Sequence, residues 1–237
     1  MGESILPGAL PSAGTMTEDY VKVIYKSHEW EGRGPTTNEL AATLGVAASS
    51  VSGNLRKLER DGYIDYEPYG RSALTAEGRA LALRMVRRHR LIETWLVEHH
   101  GYSWSDVHEE ADRLEHAVSE RLLGLLDREL GHPERDPHGD PIPRPDGSLA
   151  PQTGLRLGEV AAGASGRVVR VHDSDPALLR YLDTLSIRVG TRLRVVERHD
   201  FAGSLTLALL GPAGEETGAT ELATVAAAAI RVEVDPA

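Results

Sequence analysis

The sequence predicts an α+β protein with several domains, and three observations support this prediction. Helical patterns fill the chain up to about residue 130, apart from one short β-like stretch before residue 76. A segment with six prolines and four glycines follows, and such a segment cannot hold a helix. Beyond it the apolar pattern repeats every two residues, which is typical of strands. We therefore expect a flexible tail at 1–14, domains at 15–76, 77–130 and 155–237, and a Pro-rich linker at 131–154.

The composition is that of an ordinary globular protein. Of 237 residues, 41% are hydrophobic and 26% are charged, and the chain has no apolar run long enough to cross a bilayer. Its N-terminus lacks the basic and apolar regions of a secretion signal. The chain has no cysteine, which excludes disulfides, thiolate zinc sites and cysteine nucleophiles. We expect a cytoplasmic protein without a membrane partner.

The acidic charge is unevenly distributed along the chain. The formal net charge is −10, but residues 1–90 carry 12 basic and 11 acidic side chains, while residues 91–237 carry 14 and 25. The N-terminal third is therefore close to neutral. Local patches matter more than the total for a surface that binds phosphate, so nucleic acid remains a possible partner of this part.

The first domain has the pattern of a winged helix-turn-helix. YVKVIYKSHEW (20–30) places Val21, Ile24 and Tyr25 on one helical face. TTNELAATLGV (36–46) and VSGNLRKLERDGYI (51–64) form two further helices, and glycine-bearing turns separate them. The alternating stretch that follows turns at Tyr69-Gly70, as a β-wing would.

The last of these helices is the candidate DNA-reading element. The recognition helix of such a unit enters the major groove with its N-terminal residues at the base edges, while basic side chains meet phosphates. The candidates for base edges are Ser49, Ser50, Ser52, Gly53 and Asn54, and those for phosphates are Arg56, Lys57, Arg60 and Arg71. The alternative is a helical pair that merely carries arginine on its surface.

The middle domain contains the stretch HEEADRLEH (108–116), in a helix expected at 106–130. One stripe of this helix is apolar and predicts a core or a subunit interface: Val107, Ala111, Leu114, Val118 and Leu122. The adjacent stripe carries His108, Asp112, Glu115 and His116. His89 and Glu93 repeat the four-residue spacing on the preceding helix, so imidazoles and carboxylates converge if the two helices pack. The basic run Arg84, Arg87, Arg88 and Arg90 is either a solvated face or a further DNA contact.

Carboxylate oxygens and imidazole nitrogens suit a divalent cation such as Mn²⁺ or Fe²⁺ better than a soft metal. Spacing alone is weak support, because helices often carry such residues as exposed charge. The alternatives from other classes are a metal-dependent hydrolase and a winged-helix regulator that senses an organic ligand. The β-domain could also be an interaction module for the Pro-rich segment.

Four features in a fixed order make the chain similar to a known protein family. They are the winged helix, VHEEADRLEH, HPERDPHGDPIP and a small β-domain. The chain resembles the diphtheria toxin repressor family of metal-dependent transcriptional regulators. The resemblance implies a helical dimerisation domain, an SH3-like (FeoA-like) C-terminal β-barrel and a homodimer on double-stranded operator DNA. It implies a repressor that is no enzyme and has no small-molecule substrate.

The resemblance also implies two metal sites. Asp19, Asp112, Glu115 and His116 match the site that switches DNA binding, and His89, Glu93, His108 and Asp175 match an ancillary site. Iron-sensing members place sulfur ligands at the positions of Asp19 and Asp112, so the carboxylates here favour Mn²⁺, with Fe²⁺ as the alternative. Co²⁺, Ni²⁺, Zn²⁺ and Cd²⁺ are expected to substitute in vitro.

Three residues depart from the family pattern. Lys22 stands where some manganese regulators have a carboxylate, which argues against a binuclear site copied from them. Leu178 stands where the family's β-domain offers an amide ligand, which weakens that domain's part in metal binding. Gly53 replaces a longer polar residue on the recognition helix, so the operator sequence of relatives does not transfer.

Overall fold

A computed structural model of the chain describes residues 14–66 and 70–236. The predicted tail, apart from Gly14, and Tyr69 of the predicted wing turn lie outside these residues. The chain divides into two compact units, Met1–Val86 and Arg87–Ala237. Among the described residues, no helix combines the length and the apolar character needed to span a bilayer.

The N-terminal unit is a winged helix-turn-helix, as predicted. Its elements are α1 (Thr15–Glu31), α2 (Thr37–Leu44), α3 (Ala48–Arg60), β1 (Ile64–Asp65), β2 (Ala73–Leu74) and the start of α4 (Ala76–His100). The two strands pair antiparallel, with Ile64 opposite Leu74, and form the wing. The order helix, helix, helix and hairpin therefore confirms the prediction from apolar spacing.

Local sequence signals define the helix-turn-helix. The Thr36 hydroxyl accepts a hydrogen bond from the Glu39 amide at 3.3 Å, and the Glu39 carboxylate accepts one from the Thr36 amide at 2.6 Å. This capping box starts α2, and Gly45 ends it with a φ of +65°. The predicted apolar face of α1 is buried. The core of the unit consists of Tyr20, Ile24, Leu40, Val51, Leu55, Leu58 and Ile64.

The helical part of the second unit contains the rest of α4, α5 (Val107–Leu114) and α6 (Glu120–Glu129). The expectation of one helix from 106 to 130 is therefore wrong. Ser119 starts a new helix, because its hydroxyl accepts a hydrogen bond from the Leu122 amide at 3.2 Å. The break changes the apolar stripe: Val107 and Ala111 are fully buried, but Leu122 is 45% exposed.

The C-terminal part folds as a six-stranded antiparallel sheet in the order β3-β8-β4-β5-β6-β7. The strands are β3 (Leu155–Arg156), β4 (Ser165–Val171), β5 (Arg192–His199), β6 (Ser204–Leu210), β7 (Glu216–Ala223) and β8 (Ile230–Val234). Two helices, α7 (Pro176–Thr184) and α8 (Thr224–Ala227), interrupt them. The sequence predicted β4, β5, β6 and β8, while β3, β7 and α7 were not predicted.

The proline-rich segment 131–154 has no helix, as predicted, but it is more than a spacer. Ile142 is buried in a small core with Leu91 of α4 and Leu123 of α6. The Val171 amide donates a hydrogen bond to the His138 carbonyl at 2.8 Å, which joins the segment to the end of β4. Residues around position 138 are therefore held beside α4.

Candidate metal centre

Among the residues that the structure describes, three groups of histidine and carboxylate side chains lie beside α4 in the second unit. The first, which we call the ancillary cluster, consists of His89, Glu93, His108 and Asp173. One potential ligand atom from each lies within 4.8 Å of the others. His89 and Glu93 are one turn apart on α4, and His108 is at the start of α5, so the predicted convergence of two helices occurs.

Short distances connect the members of the ancillary cluster. His89 Nε2 lies 3.0 Å from Glu93 Oε1 and 2.9 Å from His108 Nδ1. His108 Nδ1 lies 3.1 Å from Glu93 Oε1 and 3.8 Å from Asp173 Oδ2. Two imidazoles and two carboxylates therefore face one point, and all except His108 are buried.

The β-domain contributes Asp173 to this cluster and not Asp175, the residue expected from the sequence. Asp175 is exposed and caps α7, where its Oδ1 accepts a hydrogen bond from the Ala177 amide at 2.8 Å. Asp173, two residues earlier, is 2% exposed. Leu178 packs against the apolar core of the β-domain and offers no ligand atom. The acidic residue of the β-domain that reaches the site is thus shifted by two positions.

The second group, which we call the α5-end cluster, consists of His89, Asp112 and Glu115. His89 Nδ1 lies 2.7 Å from Glu115 Oε2 and 3.3 Å from Asp112 Oδ1. His116 Nε2 lies 3.5 Å from the other oxygen of Glu115. Glu115 is fully buried, whereas the side chain of Asp112 is 45% exposed. Asp19 lies half-buried on α1 of the N-terminal unit.

The third group, which we call the buried trio, was missed from the sequence. It consists of Glu93, Asp136 and His138, all of them buried. Asp136 and His138 lie in the proline-rich segment, which the composition marked only as a linker. The signal was present, because the motif DPH has two ligand-type side chains two residues apart in a segment that prolines hold in a fixed conformation.

Unsatisfied polar atoms in the buried trio test whether a cation fits there. Glu93 Oε2 and His138 Nδ1 are buried and have no hydrogen-bond partner among the residues that the structure describes. Asp136 Oδ2 has no hydrogen bond either, but it forms an ion pair with Arg90 Nε at 3.5 Å. His138 Nδ1 is 3.8 Å from Glu93 Oε2, too far for a hydrogen bond. Buried polar atoms without partners are costly. A divalent cation would give Glu93 Oε2 and His138 Nδ1 a partner, so the residues fit a metal ion.

Burial and neighbouring charges shift the pKa values of all three residues of the buried trio. Burial opposes ionisation of Glu93, but His89 and His108 more than offset it and hold the pKa of Glu93 well below its usual value. Burial, followed by the charge of Asp140, raises the pKa of Asp136 to about 7. Burial lowers the pKa of His138, but Glu93 and Asp136 outweigh it and raise that pKa overall. The group holds protons that a metal ion would displace.

The basic run on α4 is largely used within the second unit. Arg87 donates to the Pro143 carbonyl at 2.7 Å and pairs with Asp127 at 2.9 Å. Arg90, 1% exposed, donates to the Pro141 carbonyl at 2.7 Å. These contacts, with those of Arg88 to the end of α5, bind the proline-rich segment and α5 to α4. Only Arg84 of the four is exposed.

The candidate DNA-binding residues lie on α3 and the wing. Ser49, Ser50, Arg56, Lys57 and Arg60 are exposed, while Ser52 is partly buried and donates to the Ala48 carbonyl at 3.1 Å. Two further candidates have partners within the unit. Asn54 donates to the Tyr20 hydroxyl at 3.0 Å, and Arg71 donates to the Gly34 carbonyl at 2.9 Å. Serine and basic side chains thus lie on the accessible surface of α3.

Models of known families match nearly the whole described chain. An iron dependent repressor N-terminal DNA binding domain matches residues 13–71, the metal binding and dimerisation domain of the same repressors matches 75–144, and a FeoA domain matches 155–234. The iron-dependent repressor IdeR of Mycobacterium leprae (strain TN) is 34% identical over 82% of this chain and 89% of its own length. The chain belongs to the diphtheria toxin repressor family.

Other members of the family agree with this assignment. The diphtheria toxin repressor of Corynebacterium efficiens is 33% identical over 76% of this chain and 82% of its own. A solved structure described as a manganese-dependent transcriptional repressor in complex with manganese is 44% identical, with a TM-score of 0.85, and the match covers 91% of this chain and 98% of that one. This member of the diphtheria toxin repressor family is therefore a metal-dependent transcriptional repressor and not an enzyme.

Proposed function

We propose that the chain is a Mn²⁺-dependent repressor, which binds operator DNA in the cytoplasm as a homodimer. One observation carries the choice of metal. The groups around α4 consist of carboxylate and imidazole side chains, and the chain has no cysteine. Hard oxygen ligands with imidazole suit Mn²⁺, while thiolate and thioether ligands select softer metals. Fe²⁺ is the second candidate, because relatives are named iron-dependent repressors.

We propose that Asp112, Glu115 and His116 form the switch site together with Asp19. Without a cation, three carboxylates at one site repel one another, and a bound divalent ion supplies the opposite charge. Asp19 is on α1, the first helix of the DNA-binding unit, so its engagement would fix the orientation of that unit. We propose that a second metal ion binds at the ancillary cluster and the buried trio. Its ligands would be His89, Glu93, His108 and Asp173, with Asp136 and His138.

The DNA-binding part of the proposal rests on α3. Ser49, Ser50 and Ser52 lie near its N-terminus, the end that a recognition helix presents to base edges. Arg56, Lys57 and Arg60 then contact phosphates, with Arg71 of the wing as a further candidate. In a two-fold dimer, two such helices read half-sites about 34 Å apart.

We expect Mn²⁺ to raise operator affinity about 10-fold or more, within the usual range of coupling between two sites. The probe is a labelled duplex selected from a random library in the presence of Mn²⁺. Its binding is measured by fluorescence anisotropy with Mn²⁺, Fe²⁺, Co²⁺ or Zn²⁺ at buffered concentrations, and with a chelator. Equal affinity with Mn²⁺ and with the chelator contradicts the proposal, while stronger activation by Fe²⁺ transfers it to the second candidate.

Variants of α5 connect the metal response to the switch site. Asp112→Ala should abolish most of the activation by Mn²⁺, and His108→Ala should weaken it less. Glu109, exposed on the same helix, is the matched control, and Glu109→Ala should respond as the unsubstituted chain does. An equal and negligible effect of the first two variants would contradict the ligand assignment.

Exposed leucines on α6 support the homodimer. Leu122 and Leu125 are 45% and 46% exposed and three residues apart, so they share one face. In a two-fold dimer each substitution acts twice. Leu122→Glu combined with Leu125→Glu should therefore raise the dimer dissociation constant at least about 100-fold, given roughly 1.5–3 kcal/mol per fully buried leucine.

Analytical ultracentrifugation measures this change, with circular dichroism to verify the fold. Val225→Glu is the control, because Val225 is 80% exposed on the β-domain, away from α6 in the sequence. This control should remain a dimer. A double leucine variant that also remains a dimer shows that α6 does not form the interface.

A further inference from the structure

Two proposed metal ligands, Glu115 and His116, lie where α5 has just ended. Glu115 is the C-cap of α5, and α6 does not begin until Glu120. The last carbonyl groups of a helix have no partner within it, so the backbone at such an end is not fixed by the helix itself. Local hydrogen bonds hold part of this turn, because the Glu115 amide donates to the Ala111 carbonyl at 2.9 Å and the Val118 amide donates to the Leu114 carbonyl at 3.0 Å. A contact from outside α5 to the Glu115 carbonyl would further restrict the positions of these two ligands.

Arg88 of α4 makes that contact. Its Nη1 donates a hydrogen bond to the Glu115 carbonyl oxygen at 3.1 Å. That carbonyl belongs to the peptide bond between Glu115 and His116, so the hydrogen bond acts on both ligand residues. Basic side chains that bond the last carbonyls of a helix also interact favourably with its dipole.

The same guanidinium also reaches the next helix. Arg88 Nε donates to Glu120 Oε1 at 3.2 Å, and Nη2 pairs with the same carboxylate. Glu120 is the first residue of α6, so Arg88 bridges both ends of the 115–119 connection. The side chain of Arg88 is 18% exposed, which limits its freedom to leave this position.

His89, the next residue on α4, contacts the side-chain carboxylate of Glu115. His89 Nδ1 lies 2.7 Å from Glu115 Oε2, so consecutive residues of α4 contact the carbonyl and the carboxylate of one glutamate. A guanidinium offers only donors and cannot bind a metal ion itself. The Glu120 carboxylate compensates its charge, which would otherwise oppose a cation at the switch site.

We propose that Arg88 is a positioning residue of the switch site, which fixes the Glu115–His116 peptide so that both side chains face the same cation. This inference rests on the proposed function, because it assumes that the switch site binds Mn²⁺. Outer-shell partners of metal ligands typically change metal affinity by about 10- to 100-fold when they are removed. The effect should be confined to the site that contains Glu115 and His116.

The test is a Mn²⁺ titration of the full-length chain, followed by the electron paramagnetic resonance signal of free Mn²⁺. Arg88→Ala should weaken one class of Mn²⁺ site by about 10- to 100-fold and leave the other class unchanged. Arg84→Ala is the matched control, because Arg84 is exposed one turn earlier on the same helix. It removes the same charge and should bind Mn²⁺ as the unsubstituted chain does.

Arg88→Lys retains the charge and replaces the three guanidinium nitrogens with a single donor nitrogen, so its loss of affinity should be smaller and confined to the same class. It decides the question if Arg88→Ala does not fold. If Arg88 has a merely structural role, Arg88→Ala lowers the melting temperature of the metal-free chain and weakens Mn²⁺ binding equally at both classes of site. An equal loss of Mn²⁺ affinity at both classes, or no loss at either, overturns the inference. If the unsubstituted chain binds no Mn²⁺, the proposed function itself fails, which this titration shows separately.

Discussion

Glu93→Gln is expected to remove most of the Mn²⁺-dependent rise in melting temperature. Glu93 belongs to both the ancillary cluster and the buried trio, with one carboxylate oxygen 3.0 Å from His89 and the other 3.8 Å from His138. A ligand that binds only the folded chain stabilises it by about 2.7 kcal/mol at 100 times its dissociation constant. The substitution keeps the shape of the side chain but removes the charge that holds a divalent cation.

Differential scanning calorimetry with Mn²⁺ and with a chelator measures the difference between the two melting temperatures. Glu98→Gln is the control, because Glu98 is exposed on the same helix and undergoes the same chemical change. It should retain the full shift. A Glu93→Gln variant with an undiminished shift would show that neither group around Glu93 binds the metal that stabilises the fold.

Amphipathic helices explain why the winged unit could be predicted. Val51, Leu55 and Leu58 recur at helical spacing and are all fully buried, and Gly45 and Gly62 adopt the positive φ that ends or follows a helix. By contrast, β7 has the sequence ETGATELA, and nearly all of it is exposed. Such a strand has no apolar alternation to detect, because its pairing with β6 and not its burial defines it.

The candidate metal centre was predictable where its ligands lie on helices. The four-residue spacing of His89 with Glu93 and of His108 with Asp112 puts each pair on one helical face, whatever the tertiary structure. Asp136 and His138 follow no such period, and only the packing of the proline-rich segment against α4 brings them to Glu93. Asp173 and Asp175 cannot be distinguished by composition, since the difference is that one of them caps a helix.

The break between α5 and α6 shows a further limit. Apolar residues recur at helical spacing from position 107 to 122, which predicts one continuous helix with a single apolar face. Instead, Ser119 caps a new helix and Leu122 is exposed. A serine inside an apolar pattern is compatible with a continuous helix and with a helix break. Its hydroxyl can bond to nearby backbone groups and so favour a cap or turn over the continuing helix. As a consequence, Glu115 and His116 of the proposed switch site lie at a helix end, where Arg88 donates a hydrogen bond to the Glu115 carbonyl.

The metal-free fold should lose stability between about pH 4 and pH 7 through Asp136. Its pKa rises from the ordinary 3.8 to about 7 in the folded chain, because burial and Asp140 disfavour the charge. Between these values the unfolded chain is ionised at this group while the folded chain holds the proton. The free energy of unfolding therefore falls with rising pH, by at most about 1.4 kcal/mol per pH unit, and the stabilisation is lost once pH passes 7.

Mn²⁺ binding should follow the opposite direction at the same group. A ligand carboxylate must lose its proton, so affinity at the site containing Asp136 is expected to fall by up to about tenfold for each pH unit below 7. Asp136→Asn should remove this dependence, weaken Mn²⁺ binding at pH 8, and flatten the loss of metal-free stability. Urea unfolding and Mn²⁺ titration between pH 5 and pH 8 measure both effects.

Asp146→Asn is the matched control for this experiment, since Asp146 is an exposed aspartate of the same proline-rich segment. It should retain the slopes of the unsubstituted chain in both measurements. If Asp136→Asn retains the pH dependence of Mn²⁺ affinity, the proton that competes with the metal belongs to another group. The convergence of Asp136 and His138 on Glu93 would then be a structural contact, and the metal would be confined to the ancillary and α5-end clusters.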